Sequence, residues 1–293
     1  MDNINKRCYR FKTIYNEKGL YDDFIDMSYV LLMENSKREK HVYEQINKFQ
    51  PTKKVNIQYN RGYKKCRKKL CGEKANWDLF DAHYTVILDA YRKNYNNILI
   101  LEDDFVINED LIFNKDTVNE IQGFIKINDV DIYLLGIISP KFNFGNKHQQ
   151  CPDLFNIPCG GAHGYIMNSK GMGKFLNYYE NLDCSSLSKL SNNGHIDWFY
   201  STSFNTYTYH KPLIVQSLEM TENRKNNWDN PLKNLYIQCF NLDAKNDKEI
   251  VKSYEIVYRT EKIITYILLI SIIILIFVFL CKIINYKIIV QNR

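Results

Sequence analysis

Three stretches are apolar with almost no interruption: Ser28–Glu34 (SYVLLME), Ile98–Ile107 (ILILEDDFVI) and Asp131–Leu135 (DIYLL). A continuous apolar run of this length suits a strand covered on both faces, as in a parallel sheet. Lys54–Tyr59, Gly164–Asn168 and Pro212–Ser217 read as further strands. Between them the spacing of apolar positions becomes helical. Asn35–Phe49 sets Val42, Ile46 and Phe49 on one face, with Pro51 beyond as a stop. Trp77–Tyr95 aligns Leu79, Phe80, Tyr84, Ile87, Leu88 and Tyr91. Ser169 opens a helix that runs through Tyr179, and His195–Phe204 makes a shorter one. Strands alternating with helices predict an α/β fold with a mostly parallel sheet flanked by helices. The chain shows no internal repeat and no glycine-rich phosphate loop of either common type.

The pattern breaks near the end. Ile263–Cys281 (IITYILLISIIILIFVFLC) has nineteen residues and no charge. At about 1.5 Å per residue it spans roughly 28 Å, the hydrocarbon thickness of a bilayer. Lys262 and Lys282 bracket it, and Tyr266 and Tyr286 lie near its ends, as interfacial residues do. The reading is a domain over residues 1–260, a transmembrane helix over 261–282 and a short tail over 283–293, with Lys245–Arg259 as a charged connection. The N-terminal residues contain no apolar signal segment. A single-pass, tail-anchored membrane protein with its domain in the cytosol is therefore expected. The absence of any Asn-x-Ser/Thr acceptor agrees with that. Positive charge is similar on the two sides of the span, so it does not orient the helix.

Composition adds bounds. At 45% hydrophobic and 25% charged, the chain is an ordinary folded protein rather than a disordered one. The net charge of +6 is uneven, with a cluster at Arg61, Lys64, Lys65, Arg67, Lys68 and Lys69. Such a run suits phosphates, anionic lipid or nucleic acid. It has no aromatic interleaving and no nucleic-acid fold signature beside it, so no nucleic-acid partner is expected. The eight cysteines form no CxxC pair. His148, Cys151, Cys159 and His163 have zinc-ligand chemistry, but their spacing is looser than that of zinc sites. Reduced thiols are the expectation, with a single disulfide left open.

The candidate chemistry lies at Glu102-Asp103-Asp104, where a buried strand runs into three carboxylates. Such a placement is costly unless something compensates. A hard divalent cation would, and one that also held a diphosphate would act as a Lewis acid where open α/β sheets bind ligands. The plain alternative is a solvated acidic turn.

Five segments, in order, carry a resemblance. They are YVLLMENSKREKHVYEQI (Tyr29–Ile46), the helix with Ala82-His83, LILEDDFVI, DIYLLG followed by GGAHGYIMNSKGMGKFL (Gly160–Leu176), and HIDWFY (His195–Tyr200) with PLIVQ (Pro212–Gln216). Together, over residues 28–225, they resemble glycosyltransferase family 25, the lipooligosaccharide and collagen galactosyltransferases. The resemblance implies a GT-A, Rossmann-like fold, a nucleotide-sugar donor, Mn²⁺ and transfer with inversion. Asp81-Ala82-His83 departs from the family's Ser-His signature, Ala162 stands where Thr is usual, and His195 where Pro is usual.

The expected enzyme is thus a metal-dependent glycosyltransferase that moves galactose or glucose from a UDP-sugar to a glycan or protein acceptor. Glu102, Asp103 and Asp104 would hold the metal, Asp104 most closely. Asp197 would be the base on the acceptor hydroxyl, with a helix N-cap as its structural alternative. Trp198 beside it would stack on a sugar face. Gly161 and His163 lie in the turn Gly160–Gly164, where backbone approaches a ligand closely. His83 and Arg38 complete the donor and acceptor set, each with a structural or surface role as its alternative. Two other classes compete: an inactive, membrane-anchored transferase-like binding protein, and a metal-dependent phosphoesterase. The latter would need further His and Asp ligands to hold two metals.

Overall fold

A computed structural model describes residues 8–138, 146–152, 159–218, 231–244 and 246–291. Residues 219–225 of the family-like stretch, Lys245 and the last two residues of the tail lie outside them.

Among the described residues the strands are β1 (Tyr9–Tyr15), β2 (Met27–Met33), β3 (Lys54–Asn60), β4 (Asn97–Glu102), β5 (Phe105–Ile107), β6 (Ile132–Leu134), β7 (His148–Cys151), β8 (Gly164–Asn168), β9 (Thr206–Tyr209) and β10 (Ile214–Gln216). Eight of them form one sheet in the order β1-β3-β2-β4-β8-β6-β9-β7, and β5 pairs with β10 in a second. The helices are α1 (Glu39–Phe49), α2 (Ala75–Arg92), α3 (Glu109–Ile112), α4 (Lys115–Ile127), α5 (Ser169–Asn181), α6 (Cys184–Leu190), α7 (Ile196–Ser203), α8 (Pro231–Phe240) and α9 (Asp247–Gln291).

The continuous apolar strands sit at the centre, as their pattern predicts. Alternation splits each between two layers. Ile98 and Ile100 of β4 pack with Phe80, Phe175 and Phe199 from α2, α5 and α7. Leu99 and Leu101 pack with Val42 and Ile46 of α1 and Ile121 of α4. The protein is therefore α/β, with a large central sheet covered on both faces by helices. The sheet is less parallel than expected: three of its seven ladders are parallel and four antiparallel. The reversal that matters is β8, which lies antiparallel between β4 and β6, with Leu101 opposite Gly164. Because β8 starts where β4 ends, the glycine turn before it abuts the acidic motif.

β1 escapes sequence reading because it is an edge strand with mostly exposed, polar positions. The stretch Lys245–Arg259, expected as a charged connection within the 1–260 bounds, packs on the rest of the domain from Asp247 onward. α9 is one helix of 45 residues, roughly 68 Å long. Its first turns bury Ile250, Tyr254 and Val257 against Val106 of β5 and Val215 of β10. Asn108 donates to Glu255 at 3.1 Å, and the Tyr258 hydroxyl accepts from the Ile137 amide at 2.9 Å. From Ile263 to Ile283 nearly every apolar side chain is exposed. The helix is long and apolar enough to cross a membrane, with mean hydropathy 3.2 over its most apolar eighteen residues.

The cysteines correct a second expectation. They are not reduced thiols: Cys8–Cys66, Cys71–Cys184 and Cys151–Cys159 are disulfides, and only Cys239 and Cys281 are free. The last pair also removes the zinc arrangement, since both sulfurs are consumed. His148 instead stacks on Phe124 at 4.0 Å and bonds the Tyr133 hydroxyl at 2.7 Å. The denatured, unreduced protein should therefore alkylate at two thiols, and at all eight after reduction. Mass spectrometry after iodoacetamide treatment counts them; eight modified thiols without reductant would remove the disulfides.

Candidate active site

β4 delivers Glu102 at its last position, and Asp103-Asp104 turn the chain into β5. Each carboxylate meets a different partner. Arg38, at the N-cap position of α1, donates to Asp103 Oδ1 at 2.8 Å and lies 3.4 Å from Asp104 Oδ2. Gln216, the last residue of β10, donates to Asp104 Oδ2 at 2.7 Å. The Ser217 amide donates to the Asp104 carbonyl at 2.8 Å, so the edge of the small sheet braces the turn. Asp104 is buried, and its Oδ1 has no hydrogen-bond partner.

Glu102 faces the other way. His83, fully buried on α2, lies 3.3 Å from Glu102 Oε1 through Nε2, and its Nδ1 is 2.8 Å from the Tyr165 hydroxyl. Tyr165 in turn lies 2.7 Å from the Tyr200 hydroxyl. Burial pushes His83 down to about 3, so the ring is neutral. With Glu102 ionised, as a bound cation would hold it, the row is satisfied when Tyr200 donates to Tyr165, Tyr165 to Nδ1, and Nε2–H to Glu102.

One guanidinium does not balance three carboxylates. Burial, and then the charges of Asp104, Asp197 and Asp103, push Glu102 well above the usual carboxylate range. Burial and Asp104 push Asp103 up to about 6 against the opposing effect of Arg38. Asp104 is raised by burial, with Arg38 and Gln216 opposing. Perturbed carboxylates of this kind cluster at functional sites.

Asp197 reaches the same place from α7. The N-cap of that helix is His195, so Asp197 is not the cap; it lies in the first turn. Its Oδ1 accepts from the Ala162 amide at 2.5 Å and so holds the glycine turn. Gly161 has φ +118°, and a Cβ there would stand 2.8 Å from the His163 ring. His163 is buried and neutral, held down by burial; its Nε2 bonds the Ile214 carbonyl at 3.0 Å and its Nδ1 has no partner. The His163 carbonyl accepts from the Glu102 amide at 3.0 Å, which ties the turn to the acidic motif. Trp198, next to Asp197, is 40% exposed.

All the sequence-derived candidates thus come from elements that meet at one end of β4. Sequence reading missed Gln216, Tyr165 and Tyr200 as members. Each stands inside a quoted segment, but only the fold reveals which atoms they reach.

Among the described residues, no three His, Cys, Asp or Glu side chains form a ready-made metal cage. The donor chemistry still fits a hard cation. A buried, unpartnered carboxylate oxygen stands beside two more carboxylates, and such cations are often held by one or two carboxylates plus substrate phosphates.

Gly161→Ala should strain the turn through both its φ and its contact with His163, lowering stability by about 1–3 kcal/mol. A urea midpoint equal to the wild-type value would mean that the turn accommodates a side chain freely.

No protein-family model matches this chain, and neither does any curated protein. The family 25 resemblance therefore rests on the quoted motifs alone. Solved structures match this chain only loosely. The protein A197 from STIV has a TM-score of 0.32 and 14% identity, with 62% of this chain and 81% of that one covered. A glycosyltransferase involved in glycosylation of the major capsid of PBCV-1 has a TM-score of 0.39 and 9% identity, with 68% and 98% covered. Mouse xyloside xylosyltransferase 1, in its apo form, has a TM-score of 0.32 and 10% identity, with 62% and 71% covered. Two of the three are glycosyltransferases, but at these scores the likeness carries no functional argument.

Proposed function

We propose that this chain is a metal-dependent sugar transferase that uses a nucleotide-sugar, of UDP type, and moves galactose or glucose to a glycan or protein hydroxyl with inversion. The observation that carries this reading is the juxtaposition at the end of β4. Three under-neutralised carboxylates, one with a free buried oxygen, face a fourth carboxylate that comes from a different helix.

Asp104, with Glu102 or Asp103 directly or through water, would hold Mn²⁺ or a related cation. Bound there, the cation would neutralise charge on the departing diphosphate. The chain's own residues do the rest. Asp197 takes the proton from the acceptor hydroxyl. The freed oxygen bonds to the anomeric carbon as the carbon–oxygen bond to the diphosphate breaks, and the diphosphate leaves with that electron pair. The Ala162 amide keeps Asp197 oriented through Oδ1, which leaves Oδ2 for the proton. Arg38 fixes the acidic turn and adds positive charge beside the donor phosphates. His83 orients Glu102, while Gly161 and His163 let backbone approach the sugar. Trp198 offers a flat apolar surface to the acceptor.

Three disulfides bear on where this happens. Such bonds persist in oxidising compartments and are rare in the cytosol. They favour a reading in which α9 crosses a bilayer with the domain on the non-cytosolic side, where a cytosolic domain was expected.

Asp104→Asn should abolish Mn²⁺-dependent turnover of UDP-sugars and keep its melting temperature within a few degrees, because a neutral amide is the poorer ligand. Full turnover by this variant would remove the metal reading. Asp197→Asn should bind UDP with Mn²⁺ almost normally and lose transfer by at least about 10²-fold. Wild-type transfer would return Asp197 to its role as brace of the glycine turn. No hydrolysis or transfer from any nucleotide-sugar by the wild-type protein would favour an inactive binding protein.

A further inference from the structure

The basic loop after β3 is not absorbed by the chemistry above. Residues 61–74 hold seven of the chain's lysines and arginines against one carboxylate, Glu73. That excess equals the whole chain's net charge of +6, so the remaining residues balance to zero. A solvated surface loop would be loosely held, yet this one is fastened at several points. Cys66 is bonded to Cys8 before β1, and Cys71 to Cys184 at the start of α6. Lys68 turns inward: its side chain is fully buried, paired with Asp78 and bonded to Asn60 at 2.6 Å and to the Tyr9 hydroxyl at 2.8 Å. Trp77 lies beneath both Gly72 and Gly194. The side chains of Lys65, Arg67 and Lys69 are exposed and have no acidic partner among the described residues.

Several of the elements the loop is tied to lead to the candidate site. It leaves β3 at Asn60, opposite Met33 of β2, and Arg61 pairs with Glu34 at 3.4 Å, four residues before Arg38. It runs into α2, which carries His83. Its second disulfide and Trp77 fix it to the segment that leads through Gly194 to Asp197 and Trp198. The loop is thus a rigid cationic rim between the Arg38 side and the Asp197 side.

Its own membrane is a poor partner. α9 leaves the domain past β6, where Tyr258 meets Ile137, and Lys262 lies close enough to His210, just after β9, to help lower its proton affinity. β3 and β9 are five strand spacings apart, roughly 24 Å, which is several Debye lengths at physiological salt.

We propose that this stapled loop selects an acceptor that carries fixed negative charge, a sulfated or phosphorylated glycan, through Lys65, Arg67 and Lys69. It rests on the transferase reading for the word acceptor, but binding can be read without turnover. The probes are a heparin-derived sulfated hexasaccharide, neutral maltohexaose, UDP with Mn²⁺, and an oligothymidylate of similar charge. Calorimetry on the full chain in neutral detergent compares the wild type with the variant K65S/R67S/K69S. The sulfated sugar should bind the wild type with strong salt dependence, and the variant at least about 10-fold more weakly, three charge-assisted contacts being lost. Maltohexaose and UDP binding should not change.

Equal affinity of both proteins for the sulfated sugar would overturn the proposal. So would a loss of UDP binding, which would assign the loop to the donor, or tighter binding of the oligothymidylate than of the sulfated sugar. If the triple variant melts early, single substitutions together with the wild-type salt slope decide, and a slope near zero is again fatal. Sulfated-sugar binding by a protein that turns over no nucleotide-sugar would sink the transferase reading and leave the loop's specificity standing.

Discussion

Three successive carboxylates at the end of a strand buried on both faces are the constraint to which the rest of the molecule answers. Four fully buried aliphatic side chains, Ile98–Leu101, contribute roughly 6–12 kcal/mol of burial. A desolvated carboxylate costs several kcal/mol when nothing compensates it. The apolar run can carry one such group at its end, not three. Partners must therefore arrive from elsewhere in the chain, and they do: Arg38 from α1, His83 from α2, Gln216 from β10. None of these partners is a second full counter-charge. The cluster stays short of positive charge, and Asp104 keeps one buried oxygen without a bond. A structure selected for stability alone would have replaced one of these acids, because leaving a buried acceptor unpaired costs about 1–3 kcal/mol.

The reversal at β8 turns this local imbalance into a site. An all-parallel sheet would place a helix start beside the end of β4. Here the chain comes back antiparallel, and the turn Gly160–His163 lies against Glu102 instead. Glycine is required there for two reasons: the positive φ of Gly161, and the space that the His163 ring already fills. Asp197 then braces the turn from α7, which sets a fourth carboxylate opposite the first three. Arg38 and Asp197 thus reach the end of β4 from the sides of its two opposite neighbours, β2 and β8.

Much of this was legible in the chain, and the limits have physical causes. The central strands β2, β4, β6 and β8 announce themselves because strands buried on both faces are apolar at every position. The edge strand β1 does not, since YRFKTIY is exposed over most of its length. The acidic motif, Arg38, His83, His163 and Asp197 were readable as residue types near the right elements. Their pairings were not, because Arg38–Asp103 and Ala162–Asp197 are contacts across 65 and 35 residues of chain. The cysteines misled for the same reason. Cys71 and Cys184 are 113 residues apart, and spacing says nothing about a bond that only the fold brings within reach.

The end of the chain was misread in an instructive way. Lys245–Arg259 is charged along its length, and charge suggested a solvated connection. Its apolar positions Ile250, Tyr254 and Val257 nevertheless share one face, and that face closes over β5 and β10. β5 follows directly from Asp104, and β10 ends in Gln216, the partner of Asp104. The helix long and apolar enough to cross a membrane is therefore packed on the two strands that hold the acidic turn. A rigid helix, unlike a flexible tether, would also fix the orientation of the domain relative to anything its apolar half enters. The cationic loop leaves β3, five strands along the sheet from β9, so the chain's excess positive charge and its apolar helix lie on different parts of the domain.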